Sequence, residues 1–194
     1  MSESSDINKK TSASSACPVA ERSGASFAVK SLDSLKIIAV LGGRECDSET
    51  YQNAYKVGKE IASRGGILIC GGRTGVMEAA CKGAVEEGGL TIGILPGNDI
   101  SNANPYVKIP VPTGIGIARN SIIVRTCSAA IAISGKYGTL SEIAYCFQVG
   151  KPVCSLGSWK IDGLKQVSTP EEAVEFAFNL AKYATKVQRN NENL

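Results

Sequence analysis

Short apolar runs followed directly by glycine-rich turns recur along the chain, and they limit the fold more than any other feature. The runs carry no charge and are rich in isoleucine, leucine and valine, which is typical of strands buried on both faces. They occupy residues 37–41, 67–70, 90–95, 129–133 and 152–156. A further run at 107–111 contains Pro110, which suits a strand at the edge of a sheet.

Helical segments are predicted between and after these runs. They cover residues 48–63, 76–87, 114–127, 137–149 and 170–185. The segment after the run at 129–133 is nearly apolar all round, as a buried helix is. Residues 159–167 are irregular, and a hairpin is one interpretation. Strands alternating with helices predict an α/β fold of the Rossmann-like, doubly wound kind, with a mainly parallel sheet and helices on both faces.

We expect one domain at residues 35–187, with a segment of different character on each side. Residues 1–34 are rich in serine and alanine and show no period, which predicts a disordered tail. Residues 188–194 are rich in asparagine and are predicted to fray. The tail lacks the apolar core of a secretory signal; an organellar targeting peptide is the alternative interpretation, against which its acidic residues argue.

Composition excludes several classes of function. The 194 residues carry a net charge of only +3 without a dense basic cluster, so nucleic acid is not predicted as a partner. No apolar run is long enough to cross a membrane. The chain has no histidine, which excludes a histidine base and a Cys/His zinc site, and no metal site is predicted. Seven scattered cysteines suggest a reducing compartment, and we expect a cytoplasmic protein.

Three of the glycine-rich turns follow strands and should share one edge of a parallel sheet, where such folds bind ligands. The first two turns supply the predicted ligand-binding residues Gly42, Gly43, Gly71, Gly72, Arg73 and Gly75. The third begins a helix, and a strand–turn–helix junction with free N–H groups attracts phosphate. Its predicted phosphate-binding residues are Gly135, Lys136, Tyr137, Gly138 and Thr139. The alternatives are a tight structural turn and, for Lys136, a solvated side chain.

Two charged residues are candidates for chemistry. Glu142 stands where the helix faces the predicted ligand, although a capping box with Thr139 would also explain it. Arg119 falls within the apolar stripe of the segment 114–127, where a cation needs a partner or an anion. The alternative for Arg119 is a buried stem with its charge at the surface.

Residues 71–77, 114–120 and 134–142 together resemble the LOG-like superfamily, over about residues 36–157. The branch that contains molybdenum cofactor carrier proteins is the most similar, with Gly-Gly-Arg, then Val-Met, Leu-Pro-Gly after the third strand and Gly-x-Gly-x-Ala-Arg. The resemblance implies a homo-oligomer, a dimer or a tetramer. It also implies a small phosphorylated ligand, with molybdenum cofactor or AMP as candidates, and no required cofactor.

The resemblance leaves the activity open. In the cytokinin-activating enzymes of this superfamily, residues matching Gly135, Gly138 and Thr139 bind the phosphate of a nucleoside 5'-monophosphate. Residues matching Arg119 and Glu142 carry hydrolysis of the N-glycosidic bond. The chain departs from those enzymes in lacking the proline and second glycine of their turn and the lysine after the arginine; Ser134, Lys136 and Asn120 stand there. The first hypothesis is therefore a cofactor-carrier-like binding protein. A phosphoribohydrolase is the second hypothesis, and a nucleotide sensor the third.

Overall fold

The computed structural model describes residues 35–191, with side chains as far as Ala181. The tail predicted for residues 1–34 and the last three residues of the predicted frayed end lie outside the described residues. Within them the elements follow as β1 (Ile37–Gly42), α1 (Ser48–Ser63), β2 (Ile67–Cys70), α2 (Val76–Glu86), β3 (Thr91–Leu95), β4 (Ile109–Pro112), α3 (Asn120–Thr126), β5 (Ala129–Ile133), α4 (Tyr137–Gln148), β6 (Val153–Leu156), β7 (Lys165–Val167) and α5 (Pro170–Asn191).

The strands form one sheet in the order β4-β3-β2-β1-β5-β6-β7, and every neighbouring pair is parallel. The prediction of a Rossmann-like doubly wound fold is confirmed. From β1 the chain builds outward through β2, β3 and β4, then returns to place β5 on the other side of β1. The strand order therefore reverses between β1 and β5. Ligand sites in such sheets lie beyond the carboxyl ends of the strands at this reversal.

Alternate residues of the central strands face two separate apolar layers. On one side, Ile38, Val40 and Ile131 pack in a core with buried residues of α1, α2 and α5. On the other side, Ala39 and Ala130 pack in a core with buried residues of α3 and α4. Because both faces of each central strand are covered, these strands need apolar residues at every position rather than at every second one.

The predicted helix at 114–127 is wrong in its first part. A 3₁₀ turn at Gly116–Arg119 leads into α3, which begins only at Asn120. Gly114 and Gly116 have φ angles of +67° and +60°, a left-handed conformation that an α-helix cannot contain. The apolar stripe inferred from a continuous helix is therefore not formed, and Ile115 is exposed while Arg119 is buried.

Three other expectations are corrected by the packing. Helix α4 is not buried all round, because its apolar side chains Tyr145 and Phe147 are exposed. The segment 159–167 does not form a hairpin, since β7 pairs with β6 in parallel. Helix α5 continues to Asn191, beyond the predicted end at residue 185. No helix in the described part of the chain is both long and apolar enough to cross a membrane.

Candidate functional site

A cleft of about 840 Å³ opens at the carboxyl ends of β1, β2 and β5, where the strand order reverses. Its volume falls in the range of sites that hold small organic ligands. Cationic, acidic, apolar and glycine residues all contribute to its walls. They are Val40, Gly42, Gly43, Arg44, Glu45, Gly71, Met77, Pro96, Gly116, Ile117, Arg119, Asn120, Ser134, Gly135, Lys136, Gly138, Thr139 and Glu142.

The turns after β1 and β5 lie against each other, and glycines stand where they meet. A Cβ on Gly43 would lie 3.6 Å from the Cα of Gly135. Gly135 has a φ of +97°, and a Cβ there would overlap the side chain of Thr139. Ser134 is also left-handed, with φ +49°, and no other non-glycine residue in the described part of the chain has a positive φ. Proline cannot adopt a positive φ. The backbone at Ser134 therefore differs from that of a turn with proline at this position.

Helix α4 begins inside the cleft and presents unpaired amides there. The N–H groups of Tyr137, Gly138 and Thr139 belong to its first turn, where no intrahelical acceptor exists. In the part of the chain that the structure describes, these three amides have no other acceptor. The first regular hydrogen bond of the turn is donated by Leu140 to the carbonyl of Lys136. The positive end of the helix dipole adds to the attraction of an anion at this point.

The predicted capping box is wrong. The N-cap residue of α4 is Lys136, no side chain caps the helix, and Thr139 stands at the third helical position. The hydroxyl of Thr139 and the carboxylate of Glu142 are therefore not used by such a box, although both side chains are buried. Asn120 supports the turn instead, since its side-chain amide lies 3.5 Å from the carbonyl of Gly138 and 3.3 Å from the hydroxyl of Ser141.

Arg119 and Glu142 form a buried ion pair in the cleft wall, with 3.6 Å between Nη1 and Oε1. Both side chains are about nine-tenths buried. Burial raises the pKa of Glu142 to about 7, although the Arg119 charge opposes the shift. Burial lowers the pKa of Arg119, against the attraction of Glu142. At neutral pH the carboxyl group is therefore near its midpoint, and it can hold or release a proton within the cleft.

The guanidinium of Arg119 lies directly on the backbone of Gly71. A Cβ added to Gly71 would lie 2.7 Å from Cζ and 2.6 Å from Nη1 of Arg119, well inside contact distance. The Nε of Arg119 is buried and has no hydrogen-bond partner among the described residues. A buried donor without a partner is costly, and an acceptor entering the cleft would satisfy it.

An exposed ion pair spans the mouth of the cleft. The Nζ of Lys136 lies 3.7 Å from Oε2 of Glu45, and these two residues follow β5 and β1 respectively. Both side chains are more than four-fifths exposed. Lys136 thus lies at the rim of the cleft beside a carboxylate, with most of its side chain in solvent.

Nine of the predicted site residues lie together in the cleft: Gly42, Gly43, Gly71, Arg119, Gly135, Lys136, Gly138, Thr139 and Glu142. Four others do not line it. Gly72 packs on Leu95, and Gly75 caps α2. The carbonyl of Arg73 accepts a hydrogen bond from the Asn104 side chain, while the Tyr137 ring is exposed beside Trp159.

The sequence interpretation missed Arg44 and Glu45 as residues of the cleft. They follow Gly42 and Gly43 directly, so their position just after a buried strand was the available signal. It also missed the apolar wall, made by Val40, Met77, Pro96 and Ile117. Met77, Pro96 and Ile117 lie within the motifs quoted above, and Val40 lies within the first strand. Their local sequence does not show that they share one wall, because they come from separate elements that only the sheet brings together.

Comparisons with known proteins agree with this architecture. The sequence profile of the SLOG cluster4 family matches residues 35–188. An uncharacterized protein of Archaeoglobus fulgidus is 47% identical over 143 residues, which are 73% of this chain and 94% of that protein.

Two solved structures are also similar. The molybdenum cofactor binding protein of Rippkaea orientalis has a TM-score of 0.71 and 36% identity, covering 75% of this chain and 96% of that one. The molybdenum cofactor carrier protein of Chlamydomonas reinhardtii has a TM-score of 0.70 and 33% identity, covering 75% and 98%. The chain therefore belongs to the SLOG cluster4 family, as the resemblance of its motifs to the LOG-like superfamily predicted.

Proposed function

We propose that the protein binds a small phosphorylated ligand, with the phosphate at the first turn of α4 and a pterin phosphate such as molybdenum cofactor as the ligand. The observation that carries the proposal is the group of three unpaired amides at Tyr137, Gly138 and Thr139, at the end of a cleft between β1 and β5. Helix N-termini of this kind bind phosphate in many folds.

The rest of the cleft suits the remainder of such a ligand. Val40, Met77, Pro96 and Ile117 offer an apolar wall against which a flat ring can pack. Arg44 and Arg119 supply positive charge, and Glu142 supplies a carboxyl group. A pterin or a purine carries both a flat face and hydrogen-bonding edges, and the volume of about 840 Å³ is sufficient for either.

Similarity favours a carrier over a hydrolase. Two relatives that cover three-quarters of this chain are a molybdenum cofactor binding protein and a carrier protein. At the position of the lysine in cytokinin-activating enzymes, Asn120 directs its side chain to Gly138 and Ser141 within the turn. We therefore place the phosphoribohydrolase second, and its activity is an outcome of the test below.

The test combines binding with turnover. The purified protein is titrated by calorimetry with AMP and, under anaerobic conditions, with molybdenum cofactor, while free adenine is followed by chromatography. Molybdenum cofactor binding without adenine release supports the proposal. Adenine release from AMP that is lost in Glu142→Gln would establish the hydrolase instead. Failure to bind either compound contradicts the phosphate site itself.

Thr139→Val is expected to weaken binding of the phosphorylated ligand about 3- to 10-fold, since it removes one hydroxyl from the phosphate site and keeps the side-chain shape. Thr126→Val is the matched control, because Thr126 is exposed at the end of α3 and its hydroxyl donates to the carbonyl of Ile122. Calorimetry on the two variants measures the difference. Equal loss in both would mean that Thr139 acts only through the fold.

Glu45→Gln is expected to strengthen phosphate binding about two- to five-fold, the range that corresponds to one exposed ion pair. The variant frees Lys136 from its partner at the rim and removes a negative charge there. Glu49→Gln makes the same charge change on the exposed first turn of α1, outside the cleft. The gain should shrink as salt rises, because exposed charges are screened. Titrations at low and high salt test this, and unchanged affinity contradicts it.

We also propose a homo-oligomer, as the family resemblance implies. The exposed apolar side chains of Ile115, Tyr145 and Phe147 support a contact between subunits. Sedimentation equilibrium measures the state, and a monomer at all concentrations contradicts the proposal. The cytoplasmic location stays a prediction.

A further inference from the structure

The segment after β6 holds, from outside the cleft, the backbone of the turn that joins β5 to α4 (residues 134–136). The hydroxyl of Ser158 donates to the carbonyl of Ser134 at 2.5 Å. The indole Nε1–H of Trp159 donates to the carbonyl of Lys136 at 3.3 Å. Ser158 is itself held, because its backbone N–H donates to the hydroxyl of the fully buried Ser155 in β6. Neither Ser158 nor Trp159 lines the cleft.

These two bonds help to fix where the neighbouring amides point. In a trans peptide the C=O of one residue and the N–H of the next lie in one plane and point in opposite directions. All peptide bonds of the described residues are trans. With the carbonyl of Ser134 turned to Ser158, the N–H of Gly135 points the other way. The carbonyl of Lys136 accepts the N–H of Leu140 in α4, and the bond from Trp159 is a second donor that holds it in the same direction. The N–H of Tyr137 then points away from the helix, toward its open end.

The backbone of this turn needs such support. Ser134 is left-handed at φ +49°, a conformation that residues other than glycine, asparagine and aspartate rarely adopt. Gly135, at φ +97°, follows immediately. Residues in sparsely populated conformations persist only when the surroundings hold them, and the bond from Ser158 is accepted by the strained residue itself.

We propose that Ser158 and Trp159 are positioning residues, which hold two carbonyls outward so that the N–H groups of Gly135 and Tyr137 face the ligand phosphate. The inference rests on the proposed function and extends it to two side chains outside the site. It also explains the place of the indole: Trp159 is the single tryptophan of the chain, and its ring lies 6.1 Å from the ring of Tyr137 at the helix start.

To test this, the full-length protein is titrated with inorganic phosphate, and the backbone amide resonances are followed by NMR. Ser158→Ala and Trp159→Phe each remove one donor, and the phenylalanine keeps an aromatic ring beside Tyr137. Each is expected to weaken phosphate binding about 3- to 10-fold, the effect of one hydrogen bond. The phosphate-induced shift of the Gly135 amide should be lost in Ser158→Ala. Ser158→Thr, which retains the hydroxyl, should restore both the affinity and the shift.

Ser63→Ala is the matched control, since that hydroxyl also donates to a backbone carbonyl but lies at the far end of α1. If wild type binds phosphate and both Ser158→Ala and Trp159→Phe bind it equally well, the positioning role is wrong while the proposed function stands. If Ser158→Thr loses affinity as Ser158→Ala does, the hydroxyl is not the cause and the inference is again overturned. If wild type and all variants leave the resonances of residues 135–139 unmoved, the proposed function fails and takes this inference with it.

Discussion

Replacing Glu142 by glutamine is expected to stabilise the protein at pH 8 by about 3 kcal/mol, on the basis of 1.36 kcal/mol per pKa unit. The reason is burial, which raises the pKa of Glu142 from its ordinary 4.5 to about 7 even though Arg119 lies 3.6 Å away. The ionised carboxylate is therefore more costly in the fold than in the unfolded chain. Glutamine resembles the protonated form and avoids this cost.

The sign follows from proton binding. Between pH 4.5 and 7 the folded protein holds a proton on Glu142 that the unfolded chain has released, so the free energy of unfolding falls as pH rises through this window. Below it both states are protonated, and above it the full penalty is present. The gain from Glu142→Gln should thus be near zero at pH 4.5 and complete above pH 7.

Urea denaturation of wild type and variant at several pH values measures this difference. Glu49→Gln serves as control, since it changes the same charge on an exposed helix turn. If Glu142→Gln is less stable than wild type at pH 8, the loss of the ion pair with Arg119 costs more free energy than the removal of the buried charge gains. A buried carboxyl group with so high a pKa costs stability at neutral pH, and such groups are frequent at functional sites.

Replacing Gly71 by alanine is expected to weaken binding of the phosphorylated ligand about 10- to 100-fold, the range for a lost hydrogen bond to a charged group. The new Cβ would lie 2.7 Å from Cζ of Arg119 and must push the guanidinium away from Glu142 and from the cleft. The overlap should also destabilise the fold by about 1–3 kcal/mol. The φ of Gly71 is not positive, so alanine introduces no backbone strain of its own.

A double-mutant cycle isolates the contact. Arg119→Gln removes the guanidinium that the new Cβ would meet, so Gly71→Ala should have little effect on stability in the Arg119→Gln background. Gly97→Ala is the control, because a Cβ there would meet nothing within 4 Å. Additive losses from Gly71→Ala and Arg119→Gln would show that the two residues do not act through the contact described.

Much of the architecture could be predicted because its signals are local. The charge-free run at 129–133 is a strand buried on both faces, and the prolines of β4 stand on an edge strand. Where local signals competed, the prediction failed. Thr139 and Glu142 have the spacing of a capping box, yet the helix begins at Tyr137, as its predicted bounds also had it, and Thr139 is therefore its third residue rather than its cap. The spacing of apolar residues in the segment 114–127 predicted one helix. The helix is shorter because Gly114 and Gly116 are left-handed.

Apolar runs, their length and the glycines that end them are properties of neighbouring residues. From these properties we could predict the α/β class, the edge of the sheet where the cleft lies and most of the glycines in the cleft. The partnership of Arg119 with Glu142, the contact of its guanidinium with Gly71 and the support from Ser158 and Trp159 depend on which strands are neighbours. Burial, charge separation and pKa are set by distances between elements that are remote along the chain. Those distances exist only once β1, β2, β5 and β6 have assembled into one sheet.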